Sequence, residues 1–94
     1  MQIFYNSELG SERLAKNLQT NVKSTLQNNN KRQSKKVSGV YLMEHITCPG
    51  ILIECGFLSN PTEEAQLRDA EYQKRISAVI SGTICNYLDR QRNG

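Results

Sequence analysis

Apolar side chains recur every three or four positions in two stretches of the chain, which is the period of an amphipathic helix. They predict long helices over about residues 11–27 and 70–89. In the first helix, Ser7 or Ser11 is the expected N-cap, and Ser11 and Gln19 are expected to face water. The predicted buried stripes consist of Leu14, Ala15, Leu18, Val22 and Leu26 in the first helix and of Tyr72, Ile76, Val79, Ile80, Thr83, Ile84, Tyr87 and Leu88 in the second.

A shorter helix is predicted between these two. Asn60 followed by Pro61 marks its start, because asparagine accepts hydrogen bonds from the free amides there and proline suits the first helical position. Glu63 is expected to act as a capping-box partner. The short helix is expected to end near Arg68, and Asp69 is expected to cap the last helix.

Ile51–Ile53 is a short continuous apolar run rich in β-branched residues. It predicts a strand buried on both faces, as in a parallel sheet covered by helices. Ile3–Tyr5 and Gly39–Met43 are the other predicted strands, and Lys31–Ser38 is a predicted loop. Together these elements predict an α/β fold, namely a partial three-layer α/β/α domain with about three mainly parallel strands and long amphipathic helices. We expect residues 1–94 to form one small domain.

The composition argues against several classes of protein. The net charge of +3 is modest, and its basic surplus is concentrated in Lys31–Lys36 without interleaved aromatic side chains, so nucleic-acid binding is the weakest hypothesis. No apolar run approaches the roughly 20 residues of a membrane helix, and the first residues lack the features of a signal peptide. The three cysteines are odd in number and widely spaced, which argues against a disulfide framework. Cys55 and Cys85 are expected to be small core residues.

Glu54 is the main candidate for chemistry. It ends the predicted Ile51–Ile53 strand, where ligands of open parallel sheets bind, and a packed strand has no structural need for a carboxylate there. Gly56 is expected to let the backbone turn after it. The alternative for Glu54 is an acid at a strand end that is satisfied by a neighbouring group. His45 is expected to be a surface or strand-end histidine, although it could bind a metal together with Cys48 and Cys55.

The run Pro49-Gly-Ile-Leu-Ile-Glu-Cys-Gly-Phe-Leu-Ser-Asn60 resembles the C-terminal half of zinc-dependent N-acetylmuramoyl-L-alanine amidases of the spore-cortex (sporulation) and bacteriophage-endolysin type. The resemblance implies a hydrolase that cleaves the amide between N-acetylmuramic acid and L-alanine of the peptidoglycan stem peptide. It also implies a zinc ion held by His, Glu and His with an open fourth position. Within the resemblance, Glu54 matches the glutamate that serves as general base and acid. The resemblance continues at Glu63, Glu64, Leu67, Tyr72 and Ile76.

The resemblance covers only part of such a catalytic domain. The family's three zinc ligands lie upstream of the strand matched by Ile3–Tyr5, and His45 does not occupy a ligand position. We therefore expect residues 1–94 to be the C-terminal part of the domain. We expect this part to carry Glu54, to bind zinc weakly or not at all, and to be inactive alone.

The resemblance also indicates partners and location. The expected partners are peptidoglycan and either a second copy of the chain or an intact amidase, with no nucleic acid and no membrane. A bacterial or bacteriophage-encoded protein acting at the cell wall is expected. The alternative function is a non-catalytic oligomerisation or regulatory module that assembles with an intact amidase. The Lys31–Lys36 run is expected to be a solvated loop, which could also attract the anionic cell wall.

Overall fold

The computed structural model of the chain describes residues 1–26, 30–56 and 60–93. Three strands and four helices form within these ranges. None of these helices is both long and apolar enough to cross a membrane. In chain order the elements are β1 (Gln2–Tyr5), α1 (Ser11–Thr25), β2 (Lys35–Lys36), α2 (Tyr41–His45), β3 (Ile51–Glu54), α3 (Pro61–Arg68) and α4 (Ala70–Asn93).

The strands form one sheet in the order β2-β1-β3. The predicted α/β class with three strands is confirmed, but the parallel orientation holds only for β1 and β2. β3 is antiparallel to β1, with Gln2 opposite Glu54 and Tyr5 opposite Ile51. The path of the chain explains this difference. The Val37 amide donates to the Tyr5 carbonyl at the end of β1, and β3 begins beside the same Tyr5, so the chain re-enters the sheet where β1 ends.

The core lies between one face of the sheet and the helices α1 and α4. Ile3 from β1, Leu18 from α1, and Tyr72 and Ile76 from α4 belong to one buried cluster. Removing such apolar side chains from water is the main favourable contribution to folding. The predicted stripe of α1 faces this core, and so does the first part of the predicted stripe of α4. Leu88, near the end of that second stripe, is 53% exposed.

β3 is less buried than the sequence predicts. Ile51 and Ile53 are half-buried against the core, whereas Leu52 is 36% exposed. The prediction of a strand buried on both faces is therefore wrong. The reason is that β1, and not β3, is the central strand among the described residues.

Residues 39–43, predicted as a strand, instead form a bend and the start of α2. Gly39 has a left-handed φ of 77°, and its amide donates to the Glu44 carboxylate at 2.7 Å. The rings of Tyr41 and His45 stack one helical turn apart, with centroids separated by 3.8 Å. These local contacts stabilise a short helix, and they override the strand propensity of the segment.

The predicted Lys31–Ser38 loop contains the edge strand β2. Lys35 and Lys36 pair with Phe4 and Tyr5, and both lysines are exposed. A two-residue strand of charged side chains has no alternation of apolar and polar positions, so the hydrophobic pattern does not reveal it.

The predicted caps of α3 and α4, Asn60 and Asp69, are confirmed, while the capping-box role of Glu63 stays a prediction. Asn60 Oδ1 accepts hydrogen bonds from the amides of Thr62 and Glu63 at 3.0 and 3.2 Å. Asp69 Oδ1 accepts one from the amide of Glu71 at 2.9 Å. Asparagine and aspartate thus satisfy amides that the helices themselves leave without acceptors.

The start of α1 differs from the prediction. Its N-cap is Gly10, which has a left-handed φ of 92°, and no side chain caps the helix. Ser7 is therefore not the N-cap, and neither is Ser11, which is buried and lies within the helix. Ser11 Oγ donates to Asn6 Oδ1 and accepts from the Gly50 amide at 3.0 Å, so this side chain joins α1 to the start of β3.

Two other expectations about exposure are wrong. Gln19 is buried, because its amide side chain accepts from the Ile3 amide and donates to the Met1 carbonyl, both at 3.1 Å. Cys85 is exposed, since its position on α4 lies outside the buried stripe. Cys55 is half-buried and packs against the core, as expected. α1 ends at Thr25, close to the predicted end near residue 27, which itself lies outside the described residues.

Candidate active site

Glu54 is the last residue of β3 and is half-buried. Side chains alternate between the two faces of a strand. Because Ile51 and Ile53 pack against the core, Glu54 lies with Leu52 on the other face, beside its β1 partner Gln2. Within the described ranges, no ion pair or side-chain hydrogen bond engages the Glu54 carboxylate. A carboxylate placed in this way can accept a proton without first losing a partner in those ranges.

Charged groups of both signs surround this end of the sheet. Arg32 Nη1 lies 3.3 Å from Glu63 Oε1. Burial lowers the pKa of the Met1 α-amino group, and the positive charge of Arg32 lowers it further. Glu63, Cys55 and Glu54 act in the opposite direction and raise the pKa of this amine. Arg32, Glu63, Cys55 and Glu54 are therefore all close enough to one amine to change its proton affinity.

The chain that leaves Glu54 passes closely over α3. A Cβ atom at Gly56 would lie 3.2 Å from Leu67 Cδ1 and 3.3 Å from Glu63 Cβ. Gly56 does not have a positive φ, and this close approach favours a residue without a side chain. The turn predicted after Gly56 stays a prediction. The next part of the motif, residues 57–59, lies outside the described residues.

His45 and Cys48 lie at the other end of β3 from Glu54. The Cys48 carbonyl accepts a hydrogen bond at 3.1 Å from Asn6 Nδ2, and Asn6 follows the end of β1 that lies beside the start of β3. His45 is exposed, and its Nδ1 atom lies 2.8 Å from the Tyr41 carbonyl oxygen. The prediction of a surface histidine is confirmed, and His45 does not form a site with Glu54.

The chain matches the family described as N-acetylmuramoyl-L-alanine amidase over residues 1–86. This match includes all three strands, Glu54 and most of α4. The chain belongs to this amidase family.

Curated amidases of Bacillus subtilis (strain 168) are among its relatives. The germination-specific N-acetylmuramoyl-L-alanine amidase is 38% identical over 85 residues, which are 90% of this chain and 35% of the relative. The N-acetylmuramoyl-L-alanine amidase LytC is 27% identical over 78 residues, which are 82% of this chain and 15% of the relative. The chain thus spans about a third of the length of the first of these amidases.

A solved structure agrees with these sequence matches. It is the CwlD amidase from Clostridioides difficile in complex with the GerS lipoprotein, which superposes with a TM-score of 0.87 at 37% sequence identity. The similarity covers 94% of this chain and 45% of that chain. The amidase fold of these elements is therefore shared, over slightly less than half of the known structure.

Amidases of this family are generally zinc-dependent. Zinc sites in proteins are built from several convergent His, Cys, Asp or Glu side chains. In residues 1–26, 30–56 and 60–93, no three such side chains come together in a way that could hold a metal ion. The described residues of this amidase segment therefore do not fit a zinc site.

Sequence reasoning missed the charged surroundings of Glu54. Arg32 belongs to a basic run that was predicted to be a solvated loop, and Glu63 was assigned to the start of α3 and to the family resemblance, but neither was placed near Glu54. The two residues are 31 positions apart, and no periodic pattern connects them. The one available signal was Gln2, a polar side chain at the start of a β-prone segment, which is buried and lies opposite Glu54.

Proposed function

We propose that the chain supplies the general acid–base glutamate of an N-acetylmuramoyl-L-alanine amidase, and that this residue is Glu54. The proposed substrate is peptidoglycan, and the bond cleaved joins N-acetylmuramic acid to L-alanine of the stem peptide. The observation that carries the proposal is the position of Glu54. Glu54 lies within the segment, residues 1–86, that matches the amidase family. Its carboxylate is half-buried at the end of β3 and has no ion-pair partner among the described residues.

The proposed chemistry requires one carboxylate to act twice. Glu54 first takes a proton from the attacking water, and it then returns a proton to the nitrogen of the leaving L-alanine. Without this second step the leaving group would be an amide anion, which is far too basic to depart at neutral pH. A half-buried position suits this role, because the carboxylate must reach the substrate from a well-defined orientation.

Zinc is proposed for the complete amidase domain and not for this chain alone. Because no suitable cluster lies among the described residues, we infer that ligands in the rest of such a domain would hold the ion. The chain covers 35% of the germination-specific amidase and 45% of the CwlD chain, so the larger part of each relative lies beyond the similarity. Action at a bacterial cell wall belongs to the same proposal.

The alternative role is a non-catalytic module that associates with a second copy or with an intact amidase. The half-exposed sheet face that carries Phe4 and Leu52 supports this alternative, because an apolar face promotes association. The CwlD relative was solved together with a protein partner, the GerS lipoprotein. Zinc content and turnover of a completed domain distinguish the catalytic role from the modular one.

The decisive experiment is the substitution Glu54→Gln in a completed domain. A chimera is made in which this chain replaces the matching 85 residues of the germination-specific amidase. Glutamine keeps the shape of the side chain but cannot take a proton, so turnover should fall roughly 10²- to 10⁴-fold while zinc content stays unchanged. Turnover is measured as new amino groups released from cell-wall fragments.

Two glutamates serve as matched controls for Glu54. Glu44, on α2, accepts a hydrogen bond from the Gly39 amide. Glu64, on α3, pairs with Arg68 one helical turn away. Their glutamine variants should keep nearly full turnover. The assignment is wrong if Glu54→Gln remains active while one of the control substitutions abolishes cleavage.

A further inference from the structure

We propose that Arg32 and Glu63 are positioning residues that fix the orientation of Glu54 by clamping α3 against the start of the sheet. This inference rests on the proposed role of Glu54 as the general base. It assigns a function to a basic side chain that the sequence places in an exposed loop.

The ion pair between Arg32 and Glu63 connects residues 31 positions apart. By contrast, the pairs Glu12–Lys16, Glu64–Arg68 and Glu71–Lys74 each join residues three or four positions apart on one helix. Its Nη1 and Oε1 atoms are 3.3 Å apart, and the two side chains are 36% and 18% exposed. Partial burial reduces screening by water, so this pair contributes more than a fully exposed pair would.

The Arg32 end of the pair is attached to the strand residues that lie beside Glu54. Asn30 Oδ1 accepts from the Arg32 amide at 2.9 Å, and Asn30 Nδ2 donates to the Met1 carbonyl at 3.0 Å. Gln2 Nε2 donates to the Gln33 carbonyl at 2.7 Å. Because Gln2 is the direct partner of Glu54 in the sheet, the backbone of Arg32 is anchored to the strand that supports the carboxylate.

The Glu63 end of the pair is attached to the chain that follows Glu54. Asn60 Oδ1 accepts a hydrogen bond from the Glu63 amide at 3.2 Å, which fixes the start of α3. The Cβ atom of Glu63 and the side chain of Leu67 lie against Gly56, two residues after Glu54. The ion pair therefore closes a ring of contacts that runs from β1 through Arg32 and α3 to Gly56 and back to β3.

Such a ring matters for a general base because catalysis depends strongly on its position. Catalytic groups must be held within about 0.5 Å of the productive geometry by supporting contacts. A misplacement of about 1 Å can reduce the rate roughly 100-fold. We infer that loss of the clamp allows the start of α3 to move away from Gly56, and that Glu54 then loses its fixed orientation.

Hydrogen exchange of the 94-residue chain tests the clamp without any need for activity. In Arg32→Gln and Glu63→Gln, the amides of Glu54, in the sheet, and of Glu63 and Glu64, at the start of α3, should exchange about 5- to 30-fold faster, as expected for a local loss of about one or two kcal/mol. Lys31→Gln and Glu64→Gln remove neighbouring charges of the same sign and should leave exchange at the Glu54 and Glu63 amides unchanged. Urea unfolding of each variant separates this local effect from a loss of global stability.

The double variant Arg32→Glu/Glu63→Arg keeps the experiment informative if a single variant folds poorly. It restores an ion pair with reversed polarity, so the exchange protection of Glu54, Glu63 and Glu64 should return. Recovery in the double variant is not expected if either side chain acts only through its own packing. Equal exchange in the wild type, the single variants and the double variant overturns the proposal.

The chimeric amidase then relates the clamp to chemistry. Arg32→Gln should lower kcat roughly 10- to 100-fold while KM and zinc content stay nearly unchanged, and the charge-reversed pair should recover most of kcat. Unchanged kcat in Arg32→Gln, together with an inactive Glu54→Gln, overturns the positioning role alone. An active Glu54→Gln overturns the proposed function instead, so the two failures are distinguishable.

Discussion

At the scale of single residues, two glycines show how the same backbone conformation can have different neighbours. Gly10 and Gly39 both have left-handed φ values, of 92° and 77°. A Cβ atom at Gly39 would meet nothing within 4 Å, whereas at Gly10 it would overlap the Tyr87 hydroxyl. Gly10 therefore allows both the start of α1 and its close contact with α4.

Alanine substitutions separate these two effects. Gly39→Ala should cost about 1–2 kcal/mol of unfolding free energy, because only the left-handed conformation is penalised. Gly10→Ala should cost more, since Tyr87 must also move. The extra loss of unfolding free energy in Gly10→Ala should be smaller when Tyr87→Phe removes the hydroxyl. Urea unfolding measures all of these variants, and equal losses for Gly10→Ala and Gly39→Ala would refute the role of Tyr87.

Residue-scale predictability depended on whether the partners were local in the sequence. The caps Asn60 and Asp69 could be predicted because each accepts from amides two or three positions ahead. Gln19 could not, because its hydrogen-bond partners belong to β1. Arg32 could not for the same reason, since it pairs with α3 across 31 positions. Glu54 was predicted from its motif and from its place at the end of an apolar run, and its catalytic role stays a prediction.

At the scale of elements, long periodic segments were predictable, as were short ones marked by an apolar run or a helix cap, whereas β2 and α2 were not. The helical period recurs many times in α1 and α4, so the pattern outweighs individual exceptions. β2 has two residues and α2 has five, and each is stabilised by contacts that no periodic pattern records. The error in the predicted direction of β3 has the same cause. Treating residues 39–43 as a strand gave the wrong path for the chain before β3.

The stripe of α4 gives a prediction at this scale, because its two ends differ in burial. Ile76 is buried in the core cluster, whereas Leu88 is 53% exposed. Ile76→Ala should therefore lower the unfolding free energy by about 2–5 kcal/mol. Leu88→Ala should change it by no more than about 0.5 kcal/mol. Thermal or urea unfolding checks both, and a large loss in Leu88→Ala would mean that the end of α4 is covered in solution.

At the scale of the whole molecule, the sheet is covered unequally. Helices α1 and α4 cover the face that carries Ile3 and Ile53, while Leu52 on the other face is 36% exposed and Phe4 is half-buried. β3 is an end strand of the described sheet, so its outer edge can pair with another strand. Two copies of an edge strand can pair about a two-fold axis and bury the same apolar face on each chain.

We therefore expect the 94-residue chain to form a dimer or a higher oligomer through β3 and this apolar face. Sedimentation over a range of concentrations measures the association, and Leu52→Lys should shift the chain towards the monomer because it places a charge on the face. Leu88→Lys, an exposed leucine on α4, should leave the association unchanged. The chimeric amidase provides a second control, since the remainder of its domain is expected to cover the face and to leave it monomeric. A well-folded monomer at high concentration, or equal association of the wild type and Leu52→Lys, would contradict self-association through this surface.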